Sequence, residues 1–134
     1  MKTLIFLALF FLFLTSCIPT VTYERKLVNS SSYDIRVIKS SSNSGINRRD
    51  SILIAKNSFE ILEQYSDYGK VSDYVDCNAI HYDSISVQIV KPDSLKVSMD
   101  FNNPKNWTFH ILQEKNDGGG QCECYSVLTD NEIH

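Results

Sequence analysis

Few side chains in this chain combine types and spacings that could do chemistry. His81-Tyr82-Asp83 puts an imidazole and a carboxylate on one face of an extended segment. Such a pair could supply two metal ligands or part of a nucleophilic relay. No further ligand stands at a diagnostic spacing, so no metal site is assigned. The neighbouring Ser84 and Ser86 lack the strand-turn-helix context of a nucleophile elbow. The pair therefore reads first as a polar strand entry. Gly118-Gly119-Gly120 could cradle a phosphate, but no Lys-Ser/Thr and no helix follow, so it reads as a hairpin or loop. Glu60 and Glu63 do not share a strand face and read as solvated charge. Tyr65, Tyr68, Tyr74 and Tyr82 crowd residues 65–82. They could form a recognition surface, since tyrosine supplies contact area at low entropy cost, or they could cap a core. No cofactor motif is present.

The four cysteines are not equivalent, because Cys17 belongs to the opening stretch. Lys2 is followed by Leu4 to Leu14, eleven residues without a polar side chain. That run is too short to span a bilayer, which takes about 20 apolar residues. A cationic start, a short apolar run and small residues before a cut site mark a secretory signal peptide. Leu14-Thr15-Ser16-Cys17 resembles the bacterial lipobox. The resemblance implies a diacylglyceryl thioether on Cys17 and cleavage before it, with residues 1–16 removed. Acyl chains contribute about 0.8 kcal/mol per buried CH₂, and more than one chain anchors stably. The expectation is a protein held to the membrane by its N-terminal lipid in the cell envelope, on the outer membrane, with the leaflet face open.

Loss of residues 1–16 removes one of 13 basic residues and none of the 16 acidic ones, leaving a net charge of −4. A mildly acidic chain without a basic patch excludes nucleic acid as a partner, and Arg48-Arg49 is followed at once by Asp50. A protein or glycan partner remains open. In an exported setting thiols pair. Cys122 and Cys124 alternate along one strand face about 6–7 Å apart and do not easily bridge to each other. Cys77 therefore pairs with either Cys122 or Cys124, leaving one free thiol. The bridge would close a loop of about 45 residues and add about 3–4 kcal/mol. A zinc site built from the three cysteines and a histidine has the wrong Cys-x-Cys spacing.

The elements that must position these groups are short strands punctuated by Ser, Asn, Asp and Gly. Residues 17–22 form a tether, with Pro19 blocking helix, and residues 23–134 form one domain of ordinary size. Tyr23 to Val28, Tyr33 to Lys39, Ser51 to Ala55 and Ser58 to Gln64 are β-like. Residues 65–78 lack a clean period and read as an ordered loop. Ser84 to Val90 alternates most clearly, and across the turn Lys91-Pro92-Asp93 it pairs with Leu95, Val97 and Met99 as a hairpin. Trp107, Phe109 and Ile111 alternate, which leaves His110 on the solvent face. Cys122 to Leu128 is the last strand, and Thr129 to His134 a polar tail ending in a mobile His134. About eight short strands with turns every 8–12 residues predict an all-β chain folded as a single antiparallel β-sandwich, Ig-like or similar.

Several segments together resemble small lipoproteins of Bacteroidota cell envelopes. They are Asn29-Ser30-Ser31, Tyr33-Asp34-Ile35-Arg36-Val37, Asp83-Ser84-Ile85-Ser86-Val87, Asn103-Pro104-Lys105-Asn106-Trp107 and the Tyr125 to Ile133 run. The resemblance implies a β-sandwich and offers no guide to the cysteine pairing. It also implies O-glycosylation where Asp-Ser precedes an apolar residue, at Ser51, Ser84 and Ser94. The expected role is a lipid-anchored binding or structural module rather than an enzyme. The alternatives are a small envelope enzyme or inhibitor with a site near His81 and Asp83, or thiol-redox work by Cys122 and Cys124.

Overall fold

Alternation sets the first strand. In β1 (Thr20–Asn29) every second residue, from Val21 through Tyr23, Arg25 and Leu27 to Asn29, is buried to 1% exposure or less. A computed structural model describes residues 18–42, 48–78 and 82–134. The further strands are β2 (Ile35–Ser41), β3 (Arg48–Ile54), β4 (Ser58–Tyr68), β5 (Ser84–Ile89), β6 (Thr108–Glu114) and β7 (Gly120–Leu128). They form a four-stranded sheet, β4-β1-β7-β6, and a three-stranded sheet, β3-β2-β5, whose inner faces share one core. The fold is an all-β sandwich, and the described residues include no α-helix.

Most pairings are antiparallel, but β1 and β7 run parallel from Val21↔Gly120 to Asn29↔Leu128. A parallel neighbour needs a long crossover. The intervening chain, which builds the second sheet, supplies it. β1 also begins before Tyr23. Val21 pairs with Asp67 and Gly120, so Thr20 to Thr22 of the expected tether are strand. On β4 the register shifts opposite Arg25/Lys26, and Leu62 becomes the buried residue while Phe59 and Ile61 face outward. β4 continues to Tyr68, so part of the expected 65–78 loop is strand, and a 3₁₀ turn follows at Val71–Tyr74. Gly120 opens β7 at φ +143°, where a Cβ would meet the Gln113 carbonyl oxygen. The glycine run is thus the turn that lets β6 and β7 approach.

Among the described residues seven strands form rather than about eight, because the expected hairpin partner of β5 is taken by the C-terminus. Lys96 N–H donates to the His134 carbonyl at 2.7 Å, and His134 N–H returns to Lys96 at 3.0 Å. Ser98 N–H bonds the Glu132 carbonyl at 2.8 Å, and Val97 bridges Ile133. The tail is therefore ordered rather than loose. Thr129 caps its 3₁₀ turn, Asp130–Glu132, and Asp130 accepts the Ser32 N–H and hydroxyl, each at 2.7 Å. At the same end, the buried Asn29 amide donates to the Tyr33, Ile54 and Ala55 carbonyls and accepts from the Ser31 N–H and hydroxyl.

Candidate functional site

The chemistry-bearing residues gather around Arg25, which the inward phase of β1 places in the core. Its guanidinium lies 3.8 Å from the Trp107 ring centroid and 5.8 Å from that of Tyr82. A desolvated cation on such rings gains about 2 kcal/mol. Arg25 Nη1 donates to the Cys77 carbonyl at 3.4 Å, while Nε and Nη2 find no hydrogen-bond partner among the described residues. Across the β1–β4 ladder its register partner is Glu63. Arg25 was absent from the expected site residues. The signal was available, because Tyr23, Arg25 and Leu27 share one parity.

The tyrosines close this end of the core. Tyr23 stacks on Tyr74 and tilts against Tyr65, both with centroids 5.3 Å apart. Burial pushes the Tyr23 hydroxyl up to about 12. Burial likewise raises Tyr65, Tyr74 and Tyr82 above the ordinary phenol range. These rings are packing groups; Tyr68, 71% exposed, is the ring of the segment that faces solvent.

A disulfide joins Cys77 to Cys124, with Cα atoms 5.8 Å apart. It staples the segment after Tyr74 onto β7, and Cys77 holds a left-handed φ of +54° there. Among the described residues Cys122 is the free thiol; it is fully buried, and burial pushes its pKa up to about 11. A thiol so placed is mostly protonated and screened from solvent, properties that oppose redox exchange.

Beside Tyr82 a cleft of about 200 Å³ opens between the sheets, lined by Lys39, Ser40, Ser41, Arg48, Asp50, Leu62 and Glu63. Lys39 spans it, donating to the Leu62 carbonyl at 2.7 Å and pairing with Asp50 at 3.6 Å. Most of the cleft's exposed lining is apolar, and Lys39 already serves the Leu62 carbonyl and Asp50. Asp83 is likewise committed. It accepts the N–H and hydroxyl of Ser42, and those bonds hold its carboxyl below the usual range. Its sequence partner His81 lies outside the described residues, as does Cys17. Among the described residues no three His, Cys, Asp or Glu side chains gather as a metal site.

The three Asp-Ser serines are all exposed. Ser51 lies within β3, Ser84 opens β5, and Ser94 sits in the turn where Leu95 N–H donates to the Pro92 carbonyl. His110 is 61% exposed and lies 3.5 Å from Glu123, whose carboxylate is covered by Lys26 at 2.6 Å. No family model matches this chain, and no significant match exists among curated proteins or solved structures.

Proposed function

We propose that this chain is a lipid-anchored cell-envelope protein, related to the small Bacteroidota lipoproteins it resembles, whose sandwich works as a binding or structural module. The observation that carries the reading is the start of β1 at Thr20. Only Ile18 and Pro19 separate that strand from Cys17. A domain joined so closely to a lipidated residue works against the membrane surface and meets partners there, protein or glycan. The disulfide between Cys77 and Cys124 agrees with an oxidising compartment. The raised, buried thiol of Cys122 and the Ser42-bound Asp83 weigh against the redox and hydrolytic alternatives.

Cys17→Ala expressed in the native envelope should accumulate as unprocessed precursor without acyl label, as should the parent chain treated with a lipoprotein signal-peptidase inhibitor. An alanine variant that matures normally would end the anchor reading. Affinity capture of the lipidated parent from native membranes should retain a partner that the Cys17→Ala variant loses.

A further inference from the structure

The length of chain ahead of β1 limits what that end of the sandwich can meet. Thr20 pairs with Tyr68, and the Pro19 carbonyl accepts the Gly69 N–H at 2.9 Å. The fold therefore holds the chain as far as Pro19, and Ile18 alone separates Pro19 from Cys17. An extended chain gains at most about 3.6 Å per residue, so Pro19 lies within about 7 Å of Cys17. A bilayer is about 40–45 Å thick with a hydrocarbon core of about 30 Å, which leaves about 5–7 Å for each headgroup layer. An acyl-bearing Cys17 thus puts Ile18 at the level of the headgroups.

Three segments meet at this end. β1 enters at Thr20, β4 leaves at Tyr68, and residues 115–119 turn between β6 and β7. Val71 N–H donates to the Gly118 carbonyl at 2.9 Å, and a Cβ on Gly119 would lie 2.6 Å from the Thr20 carbonyl oxygen. Ile18 precedes a proline, which keeps it extended. It therefore falls two residues before Thr20 on the same sheet face. Tyr68, opposite Thr20, shares that face, so the Ile18 and Tyr68 side chains are diagonal neighbours. Both are open to solvent, Ile18 at 60% and Tyr68 at 71%.

The charges around the pair do not favour one lipid over another. Asp67 accepts the Tyr68 N–H, Asp73 the Lys70 N–H and Asp117 the Gly119 N–H. Lys70 and Lys115 stand at the same end, and neither forms an ion pair among the described residues. With Glu114 on β6 the carboxylates outnumber the ammonium groups, so an anionic lipid gains nothing here by charge. What this end offers a bilayer is an aliphatic side chain beside a phenol. A tyrosine suits the headgroup level, where its ring is covered and its hydroxyl stays wet. The Lys70 stem lies along Gly118, which leaves its ammonium free to reach water.

We infer that Ile18 and Tyr68 form a lipid contact, through which the sandwich stands on the headgroup layer of the bilayer that holds its anchor. Ile18 points toward the acyl chains, and the Tyr68 ring lies among the headgroups. The contact sets the Thr20 end of β1 on the lipid and the Asn29 end about 30 Å away. Phe59, paired with Val28 on the same outer face, is thereby held clear of the bilayer. The inference rests on the lipid-anchor reading and names the residues that meet the membrane.

Mature protein purified from native membranes, its acyl mass verified, is inserted into phosphatidylcholine vesicles with and without acyl chains brominated near the headgroup. Tyr68→Trp places an indole at the contact, and Phe59→Trp places one at the far end of the same face. The parent, with Trp107 alone, gives the background. The bromolipid should quench Tyr68→Trp at least threefold more strongly than the parent and leave Phe59→Trp at the parent's level. Raising salt from about 0.1 M to about 1 M should change neither, because the contact is apolar. Tyr68→Trp quenched no more than the parent, in protein that floats with the vesicles, overturns the contact and leaves the anchor reading standing. Quenching of both variants overturns it too, since the sheet then lies flat on the lipid. Quenching that needs anionic lipid or vanishes at high salt overturns it by assigning the contact to charge. A purified chain without acyl mass ends the anchor reading and this inference together. If Tyr68→Trp fails to fold, a paramagnetic headgroup lipid must broaden the parent's Ile18 and Tyr68 amides and spare Phe59; undisturbed amides overturn the contact equally.

Discussion

Arg25 separates charge from volume at the level of one side chain. A buried ion whose partner groups are incomplete is costly, and an apolar residue of similar size often replaces it without loss. Arg25→Ala leaves a void over Trp107 and should lower stability by about 3 kcal/mol. Arg25→Met keeps the volume and should lie within about 1 kcal/mol of the parent or above it. Urea unfolding followed by the fluorescence of Trp107, the one tryptophan, reads both; a methionine variant as damaged as the alanine would show that the guanidinium itself is needed. Cys122 makes a second prediction, through pH. Its thiol ionises near 9 when free and near 11 in the fold. The unfolded chain loses that proton first, so the stabilisation is whole below about pH 9 and is lost as pH rises through about 11. Tyr23 acts in the same sense, whole below 10 and lost through about 12. The urea midpoint should therefore fall as pH rises from 8 towards 11, less steeply in Cys122→Ala. A midpoint flat over that range would contradict the burial of both groups.

Among the elements, the C-terminal six residues show how a long-range pairing overrides a local one. Local alternation made β5 and Leu95 to Met99 a hairpin, but the turn after Val90 leaves them apart and His134 takes the place beside Lys96. A loose polar tail could be removed without consequence. Here, truncation after Leu128 breaks the Lys96 and Ser98 bonds and the Asp130–Ser32 clamp. At about 1 kcal/mol for each lost bond, it should cost several kcal/mol, read as a fall in thermal midpoint; an unchanged midpoint would mean the tail carries no structure in solution. β4 holds the matching lesson. Its Phe59 and Ile61 alternate like core residues yet face outward, 58% and 40% exposed, because the register shift hands the interior to Leu62.

For the molecule as a whole, one covalent bond ties the tyrosine-capped end of the core to the central sheet. Cys77 and Cys124 lie 47 residues apart, and closing a loop of that length stabilises by about 4 kcal/mol in the chain-entropy treatment. The double variant Cys77→Ala/Cys124→Ala should lose a stability of that order in urea unfolding. Alkylation of the parent under native conditions should spare all of Cys77, Cys122 and Cys124, with Cys122 reacting once urea is added. Rapid native labelling of Cys122 would contradict its burial.

Period-two alternation in β1, β2, β5 and β7 is a local property, so an all-β sandwich could be read before any contact was known. The odd thiol was legible by the same parity, since Cys122 and Cys124 share a strand face about 6–7 Å apart and do not easily bridge to each other, which leaves Cys77 one partner of the two. The choice of Cys124 over Cys122 was not legible, because it depends on where the turn after Tyr74 delivers Cys77. The parallel β1–β7 pair, the shift opposite Arg25 and the capture of Lys96 by His134 share that cause. Each is a competition between segments far apart in the chain, won by packing and hydrogen bonds that no local pattern encodes. The residues alone identified strands and an anchor-like opening; only the tertiary structure put the Arg25 guanidinium on Trp107 and chose Cys124 for the bridge to Cys77.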